Sequence, residues 1–230
     1  MNWIEITTKI GCPNMCYYCP QTKLITQYTH PKKEMTIDDF KSYLTKINKN
    51  TTQIQFSGFS ESFYNKDTFK MIRYAYEQGY QIVIYTTLEG NTNYKELKDV
   101  YVDELHIHYH PKTNIEEINK REKNILKYLN IGSLHHHKIK DPISRASHNY
   151  KIERRKGILA CERFNCNVLL PNGEVYLCCC DYGLQHKIGN LNVDEYDSIQ
   201  FNIMRKQIST KAMNENEEIL CRYCEIAQVI

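Results

Sequence analysis

Ten cysteines, gathered in two groups toward opposite ends of the 230-residue chain, constrain its fold more than any other feature. The front group is Cys12, Cys16 and Cys19, and no further cysteine occurs before Cys161. A disulfide framework would spread its cysteines more evenly and would suit an oxidising compartment. Two separate metal or cluster sites explain the grouping better, so we expect a fold that builds one site from each group.

The front cysteines have the spacing C-x3-C-x2-C. Three thiolates in one short loop can hold three corners of a [4Fe–4S] cluster and leave the fourth iron open to a substrate or cofactor. Structural zinc sites usually close with four ligands, and four-cysteine ferredoxin loops occupy every iron. The spacing therefore favours a reactive iron–sulfur site, with zinc or a chance cluster as the alternative.

Short apolar runs alternate with amphipathic helical patterns over the first part of the chain. Strands are predicted at residues 4–8, 53–57, 81–87, 104–110 and 133–139. Helices are predicted after the N-cap Thr36, over about residues 66–78, and from Asn114 onward. This alternation is typical of parallel βαβ units, whose ligands bind at the carboxyl ends of the strands. The front cysteine loop follows the first strand at that end.

The pattern changes from about residue 160. Residues 167–178 predict a β-hairpin around an Asn-Gly turn, and a helix is predicted over about residues 194–213. We therefore divide the chain into an α/β domain over residues 1–150 and a small α+β domain over residues 151–230.

Charge and hydropathy exclude several classes of function. The net charge is only +3 and the basic residues are dispersed, so no nucleic-acid partner is expected. The sequence shows no apolar run of transmembrane length and no signal-peptide pattern. We expect a cytoplasmic protein without a membrane partner.

Together the motifs resemble the radical S-adenosylmethionine (SAM) enzymes. In that family the C-x3-C-x2-C loop holds a [4Fe–4S] cluster whose free iron binds SAM, and reductive cleavage of SAM gives a 5′-deoxyadenosyl radical that takes hydrogen from a substrate. The resemblance implies a partial, open β/α barrel with Cys12, Cys16 and Cys19 as cluster ligands. It also implies a reductant such as flavodoxin or ferredoxin as a partner.

The resemblance extends to a SAM site. Residues 57–61 are similar to the family's glycine-rich segment that meets the SAM amino group, although the usual Gly-Glu-Pro ending is Ser-Glu-Ser here. Tyr18 matches an aromatic position near the adenine, with ordinary packing as the alternative. Two threonines end the third predicted strand where family members often contact SAM. The implied SAM residues are Tyr18, Ser57, Gly58, Phe59, Ser60, Glu61, Thr86 and Thr87.

The back cysteines resemble the twitch domain, a shortened relative of the SPASM domain that carries an auxiliary [4Fe–4S] cluster. The resemblance implies two clusters in all, one per cysteine group. Cys166 can replace Cys161 as a ligand, and Cys179 can replace Cys178. A zinc ribbon is the alternative for this second site. The implied ligands are Cys161, Cys178, Cys221 and Cys224.

The resemblance is strongest to short twitch-type oxidoreductases of the 2-deoxy-scyllo-inosamine dehydrogenase type. It implies hydrogen abstraction from a hydroxyl-bearing carbon of a sugar, aminocyclitol or similar small polar molecule, with an electron passing to the auxiliary cluster. Arg145 is expected to bind SAM or to orient a substrate hydroxyl, with a surface arginine as the alternative. A second hypothesis is an epimerase or peptide-modifying enzyme in which Cys166, Cys179 or Cys180 donates hydrogen. A third is a non-catalytic iron–sulfur or zinc scaffold.

Histidines cluster at alternating positions of the fourth predicted strand, at His106, His108 and His110, and again at residues 135–137. Alternating residues share one face of a strand, so the first three are expected to line the barrel interior together. We interpret them as the polar lining of a substrate cavity, with surface exposure and a metal site as alternatives.

Overall fold

The computed structural model describes residues 2–14, 16–109, 114–138 and 143–230. Five strands of the front part pair in parallel, each with the next along the chain. They lie close to the predicted positions, and His110 and residue 139 fall outside the described residues. The strands are β1 (Asn2–Ile6), β2 (Thr52–Phe56), β3 (Ile82–Thr86), β4 (Tyr101–Tyr109) and β5 (Asn130–Lys138).

The back part of the chain continues the same sheet. The predicted hairpin is present, and its first strand pairs in parallel with β1, so that the eight-stranded order is β5-β4-β3-β2-β1-β7-β8-β9. A separate pair joins β6 to β10. The sheet is mostly parallel and does not close on itself, which confirms the predicted open α/β barrel, while the boundary at residue 150 stays a prediction. These strands are β6 (Leu159–Ala160), β7 (Cys166–Leu169), β8 (Glu174–Tyr176), β9 (Lys187–Asn190) and β10 (Gln228–Val229).

Helices connect the parallel strands, and two of them begin where the sequence predicts. Thr36 and Asn114 are N-caps whose side chains accept backbone N–H groups of the first turn. The single helix predicted over residues 194–213 is wrong: Asn202 ends one helix and caps the next. No helix in the described ranges is both long and apolar enough to cross a bilayer. The helices are α1 (Gln21–Gln27), α2 (Ile37–Leu44), α3 (Thr68–Glu77), α4 (Ile115–Ile125), α5 (Tyr196–Phe201) and α6 (Ile203–Met213).

The two faces of the parallel sheet differ in polarity. Ile4 and Ile6 of β1 point into a large apolar core together with buried residues of α2 and α3. Glu5, between them, points to the opposite face, because successive side chains of a strand alternate. Tyr85 and His108 share that second face. The helices therefore cover an apolar face, and the other face of the sheet is left to line a polar cavity.

Candidate active site

A cavity of about 700 Å³ lies at the carboxyl ends of the parallel strands. The structure brings together in its wall all three front cysteines, all eight predicted SAM residues and Arg145. The roles of these residues remain predictions, but their proximity in space is a property of the fold. They are Cys12, Cys16, Tyr18, Cys19, Ser57, Gly58, Phe59, Ser60, Glu61, Thr86, Thr87 and Arg145.

The front cysteine loop connects β1 to α1. Its three cysteines are free and partly exposed. Backbone N–H groups of Glu61 and Asn14 hydrogen-bond to the Cys12 sulfur, but burial is the larger effect and raises the pKa of Cys12 to about 11. A bound cation would therefore be needed to hold this group as a thiolate. Three thiols facing one cavity are soft ligands of the kind that iron–sulfur clusters use, so this donor set fits three corners of a [4Fe–4S] cluster.

Two further residues of the cavity wall, Gln21 and Tyr182, contact the front cysteines. The hydroxyl of Tyr182 lies 3.4 Å from the Cys19 sulfur, and the Gln21 amide donates to the same sulfur over 3.6 Å. Gln21 also accepts the backbone N–H of Cys12 at 3.3 Å. Such outer contacts orient ligands and tune the group that they hold. Gln21 and Tyr182 were not predicted from the sequence, because a glutamine and a tyrosine beside cysteines carry no specific signal.

The segment after β2 approaches β1 so closely that only glycine fits at its second position. Gly58 has φ +78°, and a Cβ there would lie 2.3 Å from Oγ1 of Thr7. Its N–H donates to Glu5 at 3.1 Å, while the Phe59 N–H donates to Thr7 at 3.0 Å. Glycine therefore lets this segment pack closely against Thr7, directly after β1, while the predicted contact of Gly58 with SAM stays a prediction.

Glu61 is held by the end of β3. One carboxylate oxygen accepts the Thr86 hydroxyl at 2.8 Å and the Phe63 N–H at 3.1 Å. The other accepts the Thr87 N–H at 2.6 Å and the Thr87 hydroxyl at 2.9 Å. Burial nevertheless raises the pKa of Glu61. Four donors occupy the four acceptor positions of a carboxylate, so the two predicted threonines and the predicted glutamate form one network.

Arg145 enters the cavity from a strained turn. Arg145, Ala146 and Ser147 all have positive φ, of 52°, 53° and 63°, which costs an L-residue about 1–2 kcal/mol each. The turn closes around Glu225, whose carboxylate accepts the N–H groups of Arg145 at 2.8 Å and Ala146 at 3.2 Å. Consecutive N–H groups in this arrangement form an anion-binding nest. Glu225 adjoins Cys224, so the nest ties Arg145 to the back cysteine group.

Among the residues that the structure describes, the buried Arg145 guanidinium lacks a hydrogen-bond partner at one of its nitrogen atoms. Its Nε has no hydrogen-bond partner in the described part of the chain, and neither has the buried Oγ of Ser57 in the same wall. Burial disfavours the charge, but neighbouring Tyr182 and Cys179 outweigh it and raise the pKa of Arg145 above its usual range. Buried polar groups are normally hydrogen-bonded, and these two unpartnered atoms belong to side chains that line the same cavity.

The cavity wall also carries two ionisable residues that the sequence did not point to, Glu5 and Arg163, beside the predicted alternative cysteines Cys166 and Cys179. Glu5 is buried, and burial together with nearby Cys179 raises its pKa to about 8. The Cys166 thiol donates to Glu5 over 3.0 Å. Arg163 donates to the Cys179 sulfur over 3.1 Å, and a hydrogen bond from Cys180 together with Arg163 holds the pKa of Cys179 well below its usual value. Glu5, a carboxylate between two isoleucines of β1, is a sequence signal that could have identified this part of the wall.

The back cysteines form a second, smaller site. A cavity of about 20 Å³ adjoins the first, since Arg163 and Ile226 line both. Cys166 and Cys179 line the larger cavity instead, which favours Cys161 and Cys178 in the predicted set. Five thiols line it beside apolar side chains, and the four of the predicted set fit a cluster or a zinc ion. The cysteines of the smaller cavity are Cys161, Cys178, Cys180, Cys221 and Cys224.

Histidines line the cavity as predicted, but only in part. His108 and His137 lie in its wall. His106 lies two residues before His108 on β4, further from the carboxyl end of the strand. Its ring is stacked on that of Tyr85, with 4.2 Å between the ring centroids. His136 points to the other face of the sheet and contacts Glu122 at 3.1 Å.

Comparison with known proteins identifies the fold. No protein-family model matches the sequence, and no curated protein matches it. Among solved structures, BtrN in complex with AdoMet (SAM) and 2-DOIA has a TM-score of 0.71 at 14% identity, over 94% of this chain and 88% of that one. The anSMEcpe structure with bound AdoMet has a TM-score of 0.60 at 12% identity, over 92% and 84%.

A third similar structure is Streptococcus suis SuiB bound to precursor peptide SuiA. Its TM-score is 0.54 at 10% identity, over 99% of this chain and 76% of that one. All three neighbours are radical SAM enzymes. The chain therefore has the fold of the radical SAM enzymes, as the cysteine motifs predicted.

Proposed function

We propose that this protein is a radical SAM enzyme that oxidises a hydroxyl-bearing carbon of a small polar molecule, such as a sugar or an aminocyclitol, to a ketone. One observation carries the proposal: the buried Arg145 guanidinium, with an Nε that lacks a partner among the described residues, lines the same cavity as the three front cysteines. A cavity of about 700 Å³ is in the range of small-molecule sites, roughly 300–1,000 Å³. AdoMet in BtrN and anSMEcpe supports SAM as the cofactor.

The front cysteines would hold the first cluster and the loop at residues 57–61 would form the SAM site. Because the Glu61 carboxylate is engaged by four donors, the backbone carbonyl oxygens of this loop are the better acceptors for the SAM ammonium. When bound, the reduced cluster supplies the electron that cleaves SAM and so produces the radical that takes the substrate hydrogen. Arg145 would hold the substrate hydroxyl or the SAM carboxylate and stabilise negative charge developing on a substrate oxygen.

After hydrogen abstraction, the substrate must still lose one proton and one electron to become a ketone. Removal of a hydrogen atom leaves a carbon radical beside the hydroxyl, and the ketone forms when the hydroxyl proton and one electron depart. The second cysteine site is the proposed electron acceptor, since it shares Arg163 and Ile226 with the wall of the main cavity. This role predicts an auxiliary cluster on Cys161, Cys178, Cys221 and Cys224.

A second candidate function is epimerisation, favoured by the thiols of the main cavity. A hydrogen-atom donor must carry its S–H bond, and burial and Glu5 raise the pKa of Cys166 so that this thiol stays protonated. Cys179 is held toward the thiolate beside Arg163. If the substrate radical were quenched by a thiol, Cys166 would be the donor.

The test is anaerobic reconstitution with SAM and dithionite, assayed for 5′-deoxyadenosine. We expect 5′-deoxyadenosine from the native chain and none from the variant with Cys12, Cys16 and Cys19 all changed to Ala. That variant should keep about half of the reconstituted iron, because the back cysteines form an independent site. Absence of 5′-deoxyadenosine from a fully iron-loaded native chain, with and without candidate polyols, would refute radical SAM chemistry.

A panel of aminocyclitols and sugars in deuterated water then separates the two reactions. Oxidation gives a ketone with one 5′-deoxyadenosine per product, whereas epimerisation gives a deuterated product of unchanged oxidation state that disappears in Cys166→Ala. Arg145→Ala should abolish product while iron content stays unchanged. Arg154→Ala is the matched control, because this arginine lies outside the cavity and pairs with Glu218 at 2.7 Å. Equal turnover by the two arginine variants would remove Arg145 from the proposal.

A further inference from the structure

A cluster of metal-ligating side chains on β4 and β5 is separate from both cysteine sites. We propose that Glu104, His106 and His135 bind a divalent transition metal ion of the zinc class. Glu104 and His106 lie two residues apart on one face of β4. His135 is the direct register partner of His106 on β5. The pairing of the two strands therefore assembles all three side chains on one face of the sheet, and no step of the proposed function uses them.

The distances suit a single ion. One ligand atom from each side chain lies within 4.8 Å of the other two. The Glu104 Oε2 atom is 2.7 Å from Nε2 of His106 and 3.7 Å from Nε2 of His135. Ligand atoms around a tetrahedral zinc ion with bonds of about 2.0–2.2 Å are about 3.3–3.6 Å apart. A bound ion would replace the 2.7 Å hydrogen bond between Glu104 and His106. His135, whose Nε2 lies 3.0 Å from the Ser133 hydroxyl and whose ring is stacked on that of His106, would rotate out of that stack to face the ion.

His106, the buried histidine of the set, is held in place by its second ring nitrogen and by ring stacking. Its Nδ1 lies 2.8 Å from Nε2 of His137, and its ring is stacked between Tyr85 and His135 at 4.2 and 4.5 Å. Ligating histidines usually hydrogen-bond through their second ring nitrogen, which fixes tautomer and ring plane. Nε2 of His106 is thereby directed at Oε2 of Glu104, with which it hydrogen-bonds at 2.7 Å.

The site also has an entry path and an open coordination position. The side chains of Glu104 and His135 are 42% and 44% exposed, whereas that of His106 is 10% exposed. An ion can therefore arrive from solvent and complete its shell with water. Two histidines and one glutamate with an open position form a common zinc donor set. His106 contacts Tyr85 and His137 of the main cavity wall, so an ion here would stiffen that wall.

The test uses fully reconstituted protein, in which the seven predicted ligand cysteines are already occupied by iron. Equilibrium dialysis against zinc, with metal counting, should give one zinc per chain in the native protein and in His136→Ala, whose side chain points to the other face. Glu104→Gln and His135→Ala should bind zinc at least tenfold more weakly. Both changes are at partly exposed side chains, and unchanged iron content and circular dichroism check the fold.

X-ray absorption at the zinc edge identifies the ligands. The proposal requires nitrogen and oxygen neighbours at about 2.0–2.2 Å and no sulfur at about 2.3 Å. A sulfur shell would assign the zinc to cysteines and overturn the proposal. Absence of zinc binding by the native chain, or equal binding by His135→Ala, would overturn it as well.

Discussion

Changing Glu61 to alanine is expected to lower the free energy of unfolding by about 2–6 kcal/mol. The magnitude follows from the donors that this buried carboxylate satisfies. The hydroxyls of Thr86 and Thr87 can rotate toward other acceptors, but the N–H groups of Phe63 and Thr87 are fixed by the backbone. Each buried donor left without a partner costs about 1–3 kcal/mol, and alanine would leave two.

The Glu61→Gln variant keeps the shape of the side chain and removes its charge, so it distinguishes the contribution of the hydrogen bonds from that of the charge. Glutamine keeps one acceptor oxygen and turns an amide NH₂ group toward the other pair of donors, so one backbone N–H remains satisfied. The raised pKa of Glu61 shows that burial disfavours its charge, and loss of the charge itself should therefore cost little. We expect the glutamine variant to lose about half as much free energy as the alanine variant.

The assay is equilibrium urea unfolding of the reduced, cluster-free chain, followed by far-ultraviolet circular dichroism. Glu77→Ala is the control, because Glu77 is an exposed residue of α3 that faces Arg73 at 3.9 Å; its cost should stay within about 0.5 kcal/mol. If Glu61→Ala costs no more than this control, the hydrogen-bond argument is refuted. If SAM binding is lost in the reconstituted variant while stability is unchanged, Glu61 acts as a direct ligand.

Three further changes probe other parts of the structure. Gly58→Ala places a Cβ 2.3 Å from Thr7 at φ +78°, so it should destabilise by at least about 1–2 kcal/mol and weaken SAM binding measured by calorimetry. Arg222 is fully buried and donates to carbonyls that include Glu217, Arg155 and Asn214, so Arg222→Leu should remove the back-site iron while the front-site iron and its SAM-bound spectrum remain. The raised pKa of Glu5, about 8 against 4.5 when unfolded, means that the folded chain keeps a proton that the unfolded chain releases. Stability should therefore fall by up to about 1.4 kcal/mol per pH unit between about pH 5 and 8 in urea unfolding, and Glu5→Gln should flatten that slope.

Features fixed by neighbouring residues were predictable from the sequence. Thr36 caps α2 through a reciprocal exchange with Asp39, three residues on, so its signal is entirely local. The Asn-Gly turn of the back hairpin is equally local, with Gly173 at φ +86°. The position of the front cysteines after the first strand was also predictable, because the strand and the cysteine loop are adjacent in the sequence. The break between α5 and α6 escaped prediction, because Asn202 also fits an exposed helix position.

Features fixed by distant pairing were not predictable. Glu5 and Arg163 lie in one cavity wall because β7 pairs with β1, and nothing in either strand specifies that partner. Arg145 was singled out by resemblance, yet its nest depends on Glu225, which lies 80 residues further along the chain. Such contacts depend on the assembled sheet, and the periodicity of apolar and polar residues along the sequence does not predict them.

One buried asparagine explains how the sheet holds the two cysteine groups in a fixed relation. Cys166 pairs with Trp3, and its neighbour Asn167 pairs with Ile4 on the opposite, apolar face. There Asn167 accepts from Tyr196 at 2.9 Å and from Gln200 at 2.7 Å, and donates to the Leu177 carbonyl at 2.7 Å. A slip of one residue would turn Asn167 into the cavity and Cys166 into the core, leaving these partners unsatisfied. A polar network on the side of the sheet that the cavity does not touch thus selects the register in which a thiol faces Glu5.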